Sequence, residues 1–185
     1  MDMTGEQSIA LPQQRVWEAL NDPAILKACI PGCESIERIS DTEYKVSMTA
    51  AVGPVKARFA GKLLLSDLDP PRSYSLAFEG SGGTAGFGKG TAHVSLEPDG
   101  DHTRLVYKAS ATVGGKLAQV GSRLIDGVAR KMADDFFARF NRTVAPGQAA
   151  APTAAQAVPR PGISKWVWIV VIAIVLALLL FGWAR

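Results

Sequence analysis

Residues 44–65 read YKVSMTAAVGPVKARFAGKLLL, and their spacing decides the fold. Tyr44, Val46, Met48, Ala50 and Val52 fall on one side of a period of two, with Lys45, Ser47 and Thr49 on the other. Side chains alternate across a strand, so the segment predicts a strand with one apolar face and one wet face. Gly53-Pro54 turns the chain, and Val55, Ala57, Phe59, Gly61, Leu63 and Leu65 resume the pattern against Lys56, Arg58 and Lys62. It continues through Tyr74, Leu76 and Phe78, then Ala92, Val94 and Leu96, then Leu105, Tyr107, Ala109, Ala111 and Val113. Turns are expected at 69–72 and 98–101, where Pro, Asp and Gly cluster. Alternation on one side over successive strands predicts an antiparallel sheet with a single solvated face.

On either side of the sheet the period changes. Upstream, Gln13–Leu20 places Val16, Trp17 and Leu20 at the spacing of a short amphipathic helix. Asp22 as N-cap and Pro23 at the first helical position start a second helix, which Ile30-Pro31-Gly32 ends. Downstream of Gly114-Gly115 the period returns to 3.6. Leu117, Val120, Leu124 and Val128 form a stripe, with Ile125, Met132 and Phe136 beside it. The expected helix runs for about 27 residues, to the neighbourhood of Arg142. Such a helix must cover something, and the apolar face of the sheet is the large candidate. Two short helices, a run of antiparallel strands and one long helix resemble, in their order, the α+β helix-grip (START-like) fold. There a curved sheet wraps a long C-terminal helix.

The inner face carries small residues at Ala50, Ala57, Gly61, Ala92, Ala109 and Ala111. Small residues on a strongly curved sheet leave room for an apolar pocket. The alternative is a core that collapses, with Phe59, Phe78 and Phe136 filling the gap. Face assignment makes Met48, Phe59, Phe78, Phe87, Tyr107, Leu124, Val128, Met132 and Phe136 the pocket candidates.

Charge and composition narrow the function. Residues 1–144 hold 17 Lys+Arg and 17 Asp+Glu, and the later residues add only Arg160, Lys165 and Arg185. A neutral domain lacks the cation excess that phosphate neutralisation requires, so no nucleic-acid partner is expected. Cys29 and Cys33 are too few for a disulfide scaffold. The first fifteen residues show no basic-then-apolar leader pattern, so the domain is expected in the cytoplasm with its thiols reduced.

The C-terminal part reads differently. Residues 145–164 are Ala/Pro-rich without apolar period, a semi-extended linker that reaches roughly 60 Å at full stretch. Residues 166–184, WVWIVVIAIVLALLLFGWA, carry no charge. As a helix they rise about 28 Å, close to the thickness of a bilayer's hydrocarbon core. Trp166, Trp168 and Trp183 sit at its two ends, where amphipathic rings prefer the interface, and Lys165 and Arg185 bracket it. The expected organisation is a domain over 1–144, a linker over 145–164 and a single-pass anchor over 165–185. Arg160 and Lys165 before the anchor, against Arg185 after it, place the domain on the cytoplasmic side of the inner membrane.

Motifs that suggest catalysis do not hold together. The run GSGGTAGFGKG at 80–90 fits seven positions of a phosphate loop, but Gly90 stands where Ser or Thr would hold magnesium. A strand pattern follows it where a helix N-terminus is needed. It reads as a flexible connection between strands, with a mobile gate at the pocket mouth, Phe87 its apolar tip, as the sharper alternative. Cys29 and Cys33 lack the further ligands of a closed zinc site. His93 on the outer face and His102 in a turn have no triad partners by spacing. No acid, base and nucleophile assemble, so a binding module is expected and an enzyme is not.

Four short segments together carry a family resemblance. They are Cys29-Ile30-Pro31-Gly32-Cys33-Glu34, Val52-Gly53-Pro54-Val55-Lys56, Gly82-Gly83-Thr84-Ala85-Gly86-Phe87 and the run GGKLAQVGSR at 114–123. The chain resembles the carbon monoxide dehydrogenase G-subunit (CoxG) family of the SRPBCC/START-like superfamily over about residues 3–142. The apolar tail is similar to that of its membrane-bound members. The resemblance implies association with a molybdenum hydroxylase of the aerobic CO dehydrogenase type, which carries its molybdopterin, iron–sulfur clusters and flavin on its own subunits. It also implies recruitment of that enzyme to the cytoplasmic membrane, where its electrons enter the respiratory chain.

A quinone in that chain is too apolar to leave the bilayer unaided, and burial of apolar surface is worth roughly 25 cal/mol per Å². A pocketed domain on a leash supplies the container. The expectation is a domain that takes an isoprenoid quinone from the bilayer and presents it to the docked enzyme, with Tyr107 offering its hydroxyl to a quinone carbonyl. No covalent cofactor or metal is expected. The competing expectation is a pure adaptor, a packed domain with a protein-binding face and no ligand.

Overall fold

A computed structural model describes residues 1–145. Seven strands form one antiparallel sheet in the order β1-β7-β6-β5-β4-β3-β2. They are β1 (Asp2–Ile9), β2 (Cys33–Arg38), β3 (Glu43–Val52), β4 (Val55–Asp69), β5 (Ser73–Ser81), β6 (Phe87–Asp99) and β7 (His102–Gly114). Helices α1 (Gln13–Leu20) and α2 (Pro23–Cys29) lie between β1 and β2, and the 23-residue α3 (Ser122–Val144) follows β7. The expected order of short helices, sheet and long helix is present. So is the α2 start, where the Asp22 carboxylate accepts from the Ala24 N–H at 2.8 Å.

The register confirms the two faces. Tyr44 pairs with Leu63, Leu63 with Phe78, Phe78 with Gly90 and Gly90 with Ala111, so the inner row crosses five strands. Lys45, Lys62, Glu79, Lys89 and Thr112 form the outer row beside it.

Three expectations are corrected. First, β1 is a full strand paired with β7 along its whole length. Its inner residues Met3, Gly5, Gln7 and Ile9 mix a glycine and a glutamine with two apolar side chains, which hides the alternation. Second, the long helix does not start after Gly115. A 3₁₀ turn spans Gly115–Val120, and Gly121, at φ +96°, breaks the chain before α3. That break resets the helical phase. The stripe through Leu117, Val120 and Leu124 therefore does not carry into α3, whose buried residues are Phe137 and Phe140, while Leu124 is 41% exposed. Third, the glycine run at 80–90 is mostly strand, with only a short 3₁₀ turn at Gly83–Ala85 between β5 and β6.

The core is gathered at one end of the sheet-and-helix sandwich. Ile9, Val16, Leu20, Cys29, Leu96, Leu105 and Phe140 meet there beneath α1 and α2. Thr103 in the same region is wholly buried and donates its hydroxyl to the Leu11 carbonyl at 2.7 Å. Phe136, Phe137 and Phe140 stack along α3, and Tyr107 lies on Phe137 with ring centroids 5.5 Å apart.

Among the described residues no helix is long and apolar enough to cross a membrane. The linker and the apolar run with Trp166, Trp168 and Trp183 lie outside the described residues.

Candidate functional site

An apolar cavity of about 280 Å³ lies on the inner face. The sheet contributes Tyr44, Leu63, Leu65, Tyr74, Leu76, Ala92 and Tyr107. Leu26 and Ile30 cover it from α2 and its end, and Ala133, Phe136 and Phe137 from α3. Each position follows from strand parity, because Tyr44, Leu63, Leu76, Ala92 and Tyr107 all point to the face that α3 covers. Ala92 and Ala133 are small where a larger side chain would occupy the space.

The few polar residues in the wall are Asn21 and three tyrosines. Tyr44 donates its hydroxyl to the Asn21 carbonyl at 3.3 Å. Tyr74 and Tyr107 have no hydrogen-bond partner for their hydroxyls among the described residues, and neither oxygen is a sealed-off orphan. Both rings form part of the cavity wall, and the Tyr107 hydroxyl end lies over Gly5 of β1. Burial pushes the Tyr74 hydroxyl far above its ordinary value, with Tyr44 nearby adding to it. Burial, with a smaller contribution from Asp134, also raises Tyr107. Both stay protonated at neutral pH and stand as hydrogen-bond donors in an apolar wall.

Of the residues expected to bind ligand, the structure brings Tyr107 and Phe136 to the cavity. Met48, Phe59 and Phe78 are on the inner face but beyond its lining. Phe78 lies over Gly90, and Phe59 over Gly82, where an added Cβ would strike their rings. These aromatics cover glycine backbone and do not project into the hollow. Val128 and Met132 are half-buried on α3, outside the lining, and Leu124 packs on Gly53 in the β3–β4 turn. Phe87 is on the outer face, 45% exposed and lying over Gly114. Its parity with Lys89 and Thr91 is enough to place it there. Tyr74, Leu63 and Leu76 are on the expected inner face but not among the candidates. Periodicity fixes which way a strand residue points, not how far along the strand the helix reaches.

Larger depressions, of about 540 and 590 Å³, lie on the outer face. Lys45, Lys62 and Lys89 line one, and Thr4, His93 and Lys108 the other. They are solvated surface of the curved sheet. The Ser75 hydroxyl and His93 Nδ1 lie 3.2 Å apart there, both exposed. Among the described residues no group of three His, Cys, Asp or Glu side chains is placed to hold a metal. Cys29 and Cys33 are free thiols, and burial raises both.

One carboxylate oxygen of Asp126 and the Asn141 amide oxygen are buried without a partner. Asp126 shares a helix face with Ala133 and Phe137, two and three turns on.

Comparison with solved structures places this geometry among known folds. A conserved protein from Geobacillus kaustophilus is 34% identical, with a TM-score of 0.74 over 78% of this chain and 95% of that one. A START superfamily protein from Mycobacterium smegmatis matches at 11% identity and TM-score 0.61, over 77% of this chain and 96% of that one. The Zhui aromatase/cyclase from Streptomyces sp. R1128 matches at 14% and 0.59, over 78% and 93%. The last two likenesses show the START-like fold alone. No curated protein matches. The sequence profile of the carbon monoxide dehydrogenase G-subunit (CoxG) matches residues 5–145, and the chain belongs to the CoxG family.

Proposed function

We propose that this chain is a membrane-tethered carrier of an apolar ligand, an isoprenoid quinone. In this reading it links a CO dehydrogenase-type molybdenum hydroxylase to the quinone pool of the cytoplasmic membrane. The observation that carries the reading is the inner cavity, with its aliphatic and aromatic walls. Family membership supports the dehydrogenase as partner, and the uncharged run at 166–184 supports the tether.

Volume refines the proposal. Ligand pockets span about 300–1,000 Å³, so a cavity of about 280 Å³ suits a ring with a short stretch of tail. A longer prenyl chain must lie outside it. The half-buried inner residues Met48, Phe59, Val113, Val128 and Met132 continue the apolar surface toward the β3–β4 turn and offer such a track. The chain performs no redox step in this scheme. Its residues exclude water, orient the ring through Tyr74 and Tyr107, and release it to the enzyme.

The test is extraction of the purified full-length protein followed by mass spectrometry, together with a thermal melt in added quinone. Co-purified isoprenoid quinone and a raised midpoint are expected. Absence of both leaves the pure adaptor, which the glycine-covering Phe59 and Phe78 would suit by keeping the rest of the inner face filled.

A further inference from the structure

The neutral charge of the domain conceals a division between its two ends. Leu124 packs on Gly53, so the β3–β4 turn meets the first turn of α3. Gly86 lies against Gly114 and Gly115, which brings the β5–β6 connection to the same end. The three segments that converge there, 46–61, 80–90 and 111–131, hold seven Lys+Arg and one acid, Asp126, and Glu34 of β2 lies against them, accepting from the Thr49 hydroxyl and pairing with Arg58. The rest of residues 1–145 holds ten Lys+Arg and sixteen Asp+Glu. Arg58 is paired with Glu34 and Lys131 with Asp135. Among the described residues Lys56, Lys116, Arg123 and Arg130 are exposed and form no ion pair. Leu124, 41% exposed, lies on the β3–β4 turn at this end, and Phe87, 45% exposed, lies over Gly114 on the outer face, where it shares a depression with Lys89.

We propose that this end is a docking surface for an anionic phospholipid bilayer. Exposed apolar side chains ringed by unpaired cations are the pattern of an interfacial membrane contact, where the former enter the acyl boundary and the latter meet lipid phosphates. The unpaired cations come from separate segments, and the exposed Leu124 and Phe87 belong to two of the three. That arrangement suits a fluid, laterally adjustable surface better than a shaped acidic protein. Reach permits the contact: α3 is about 34 Å long, and the twenty residues expected as a linker would span roughly 60 Å at full stretch. Docking here sets the loosened end of the apolar interior against lipid. The proposal adds an orientation to the carrier reading and does not depend on which ligand is carried.

The full chain in nanodiscs of phosphatidylcholine, with or without phosphatidylglycerol, tests it by hydrogen–deuterium exchange. Amides in 52–55, 85–89 and 115–125 should exchange on the order of tenfold more slowly in the anionic discs, and high salt should abolish the difference. The triple variant Lys56→Glu, Lys116→Glu, Arg123→Glu should lose the protection while keeping its urea midpoint, since all three side chains are exposed and unpaired. Leu124→Ser with Phe87→Ser should weaken it without altering charge. Equal exchange in both lipids, or protection that survives the charge reversal, overturns the proposal. So does protection that appears in neutral discs only when an acidic protein is added. Quinone content measured on the same preparation reports on the carrier reading separately.

Discussion

The two ends of the sandwich are built to different standards. Under α1 and α2, Ile9, Val16, Leu96, Leu105 and Phe140 are at most 2% exposed, and the buried Thr103 hydroxyl is satisfied. Toward the β3–β4 turn the same two faces carry Met48, Phe59, Val113, Val128 and Met132, all half-buried, and Leu124 is 41% exposed. The cavity lies between these regions. A folded domain needs one well-packed end for its stability and its cooperative unfolding. It can leave the other loose only if the first contributes enough, and regions of low contact density are where ligand-gating motion is found. In the proposed carrier reading, the closed end leaves the open end free to exchange a guest.

The contrast is broken most directly by truncation. Phe140→Ala should cost about 3–5 kcal/mol in urea unfolding, the usual range for a buried aromatic. Val128→Ala at the open end should cost less than about 1 kcal/mol, because neighbours already leave it part solvated. Equal losses at the two sites would remove the distinction. Filling the space between the ends comes next. Ala92→Phe places a ring in the cavity from β6 and should abolish the quinone-dependent rise in thermal midpoint. That rise corresponds to about 2.7 kcal/mol at a hundredfold excess over Kd. Retention of the full shift in this variant would locate the ligand elsewhere.

How much of this was readable from sequence varies by element. Strands β3 to β7 were legible because each buries one face only, so their polarity alternates. Strand β1 was not, because Gly5 and Gln7 interrupt its inner face and Tyr107 covers the glycine from the neighbouring strand. That compensation is tertiary and leaves no local signal. The existence of α3 was plain, but its buried face was misphased by the turn at Gly121. The same error shifted the expected site toward Leu124 and Val128 and away from Ala133 and Phe137. Tyr107 and Phe136 line the cavity because they lie where both patterns agree. The basic end was invisible to a tally that returned zero for the whole domain.

The open end has a second weakness. Asp126 buries one carboxylate oxygen without a partner, and an unsatisfied buried acceptor costs about 1–3 kcal/mol. Asp126→Leu should therefore stabilise the protein by about 1 kcal/mol at neutral pH. The size of the effect sharpens the comparison, since a site kept suboptimal for stability next to a ligand track is the signature of function over packing. A destabilised variant would mean that the carboxylate holds the first turns of α3 in place.

The smallest expected effect belongs to the closed end and is read by pH. Burial raises the Cys29 thiol above its ordinary value of 9.0. The unfolded chain therefore releases that proton first. The native state then binds more protons than the unfolded state, and stability falls as pH rises. The contribution is complete below pH 9 and declines through the folded value. Urea midpoints taken between pH 7 and 10 should bend downward above about 9. Cys29→Ala should be weaker throughout from lost packing, yet show less of that bend, while Cys33→Ala should retain most of it because Cys33 is only half-buried. An identical bend in wild type and Cys29→Ala would place the alkaline sensitivity outside the closed end, with Cys33, whose thiol burial also raises, as the next group to test.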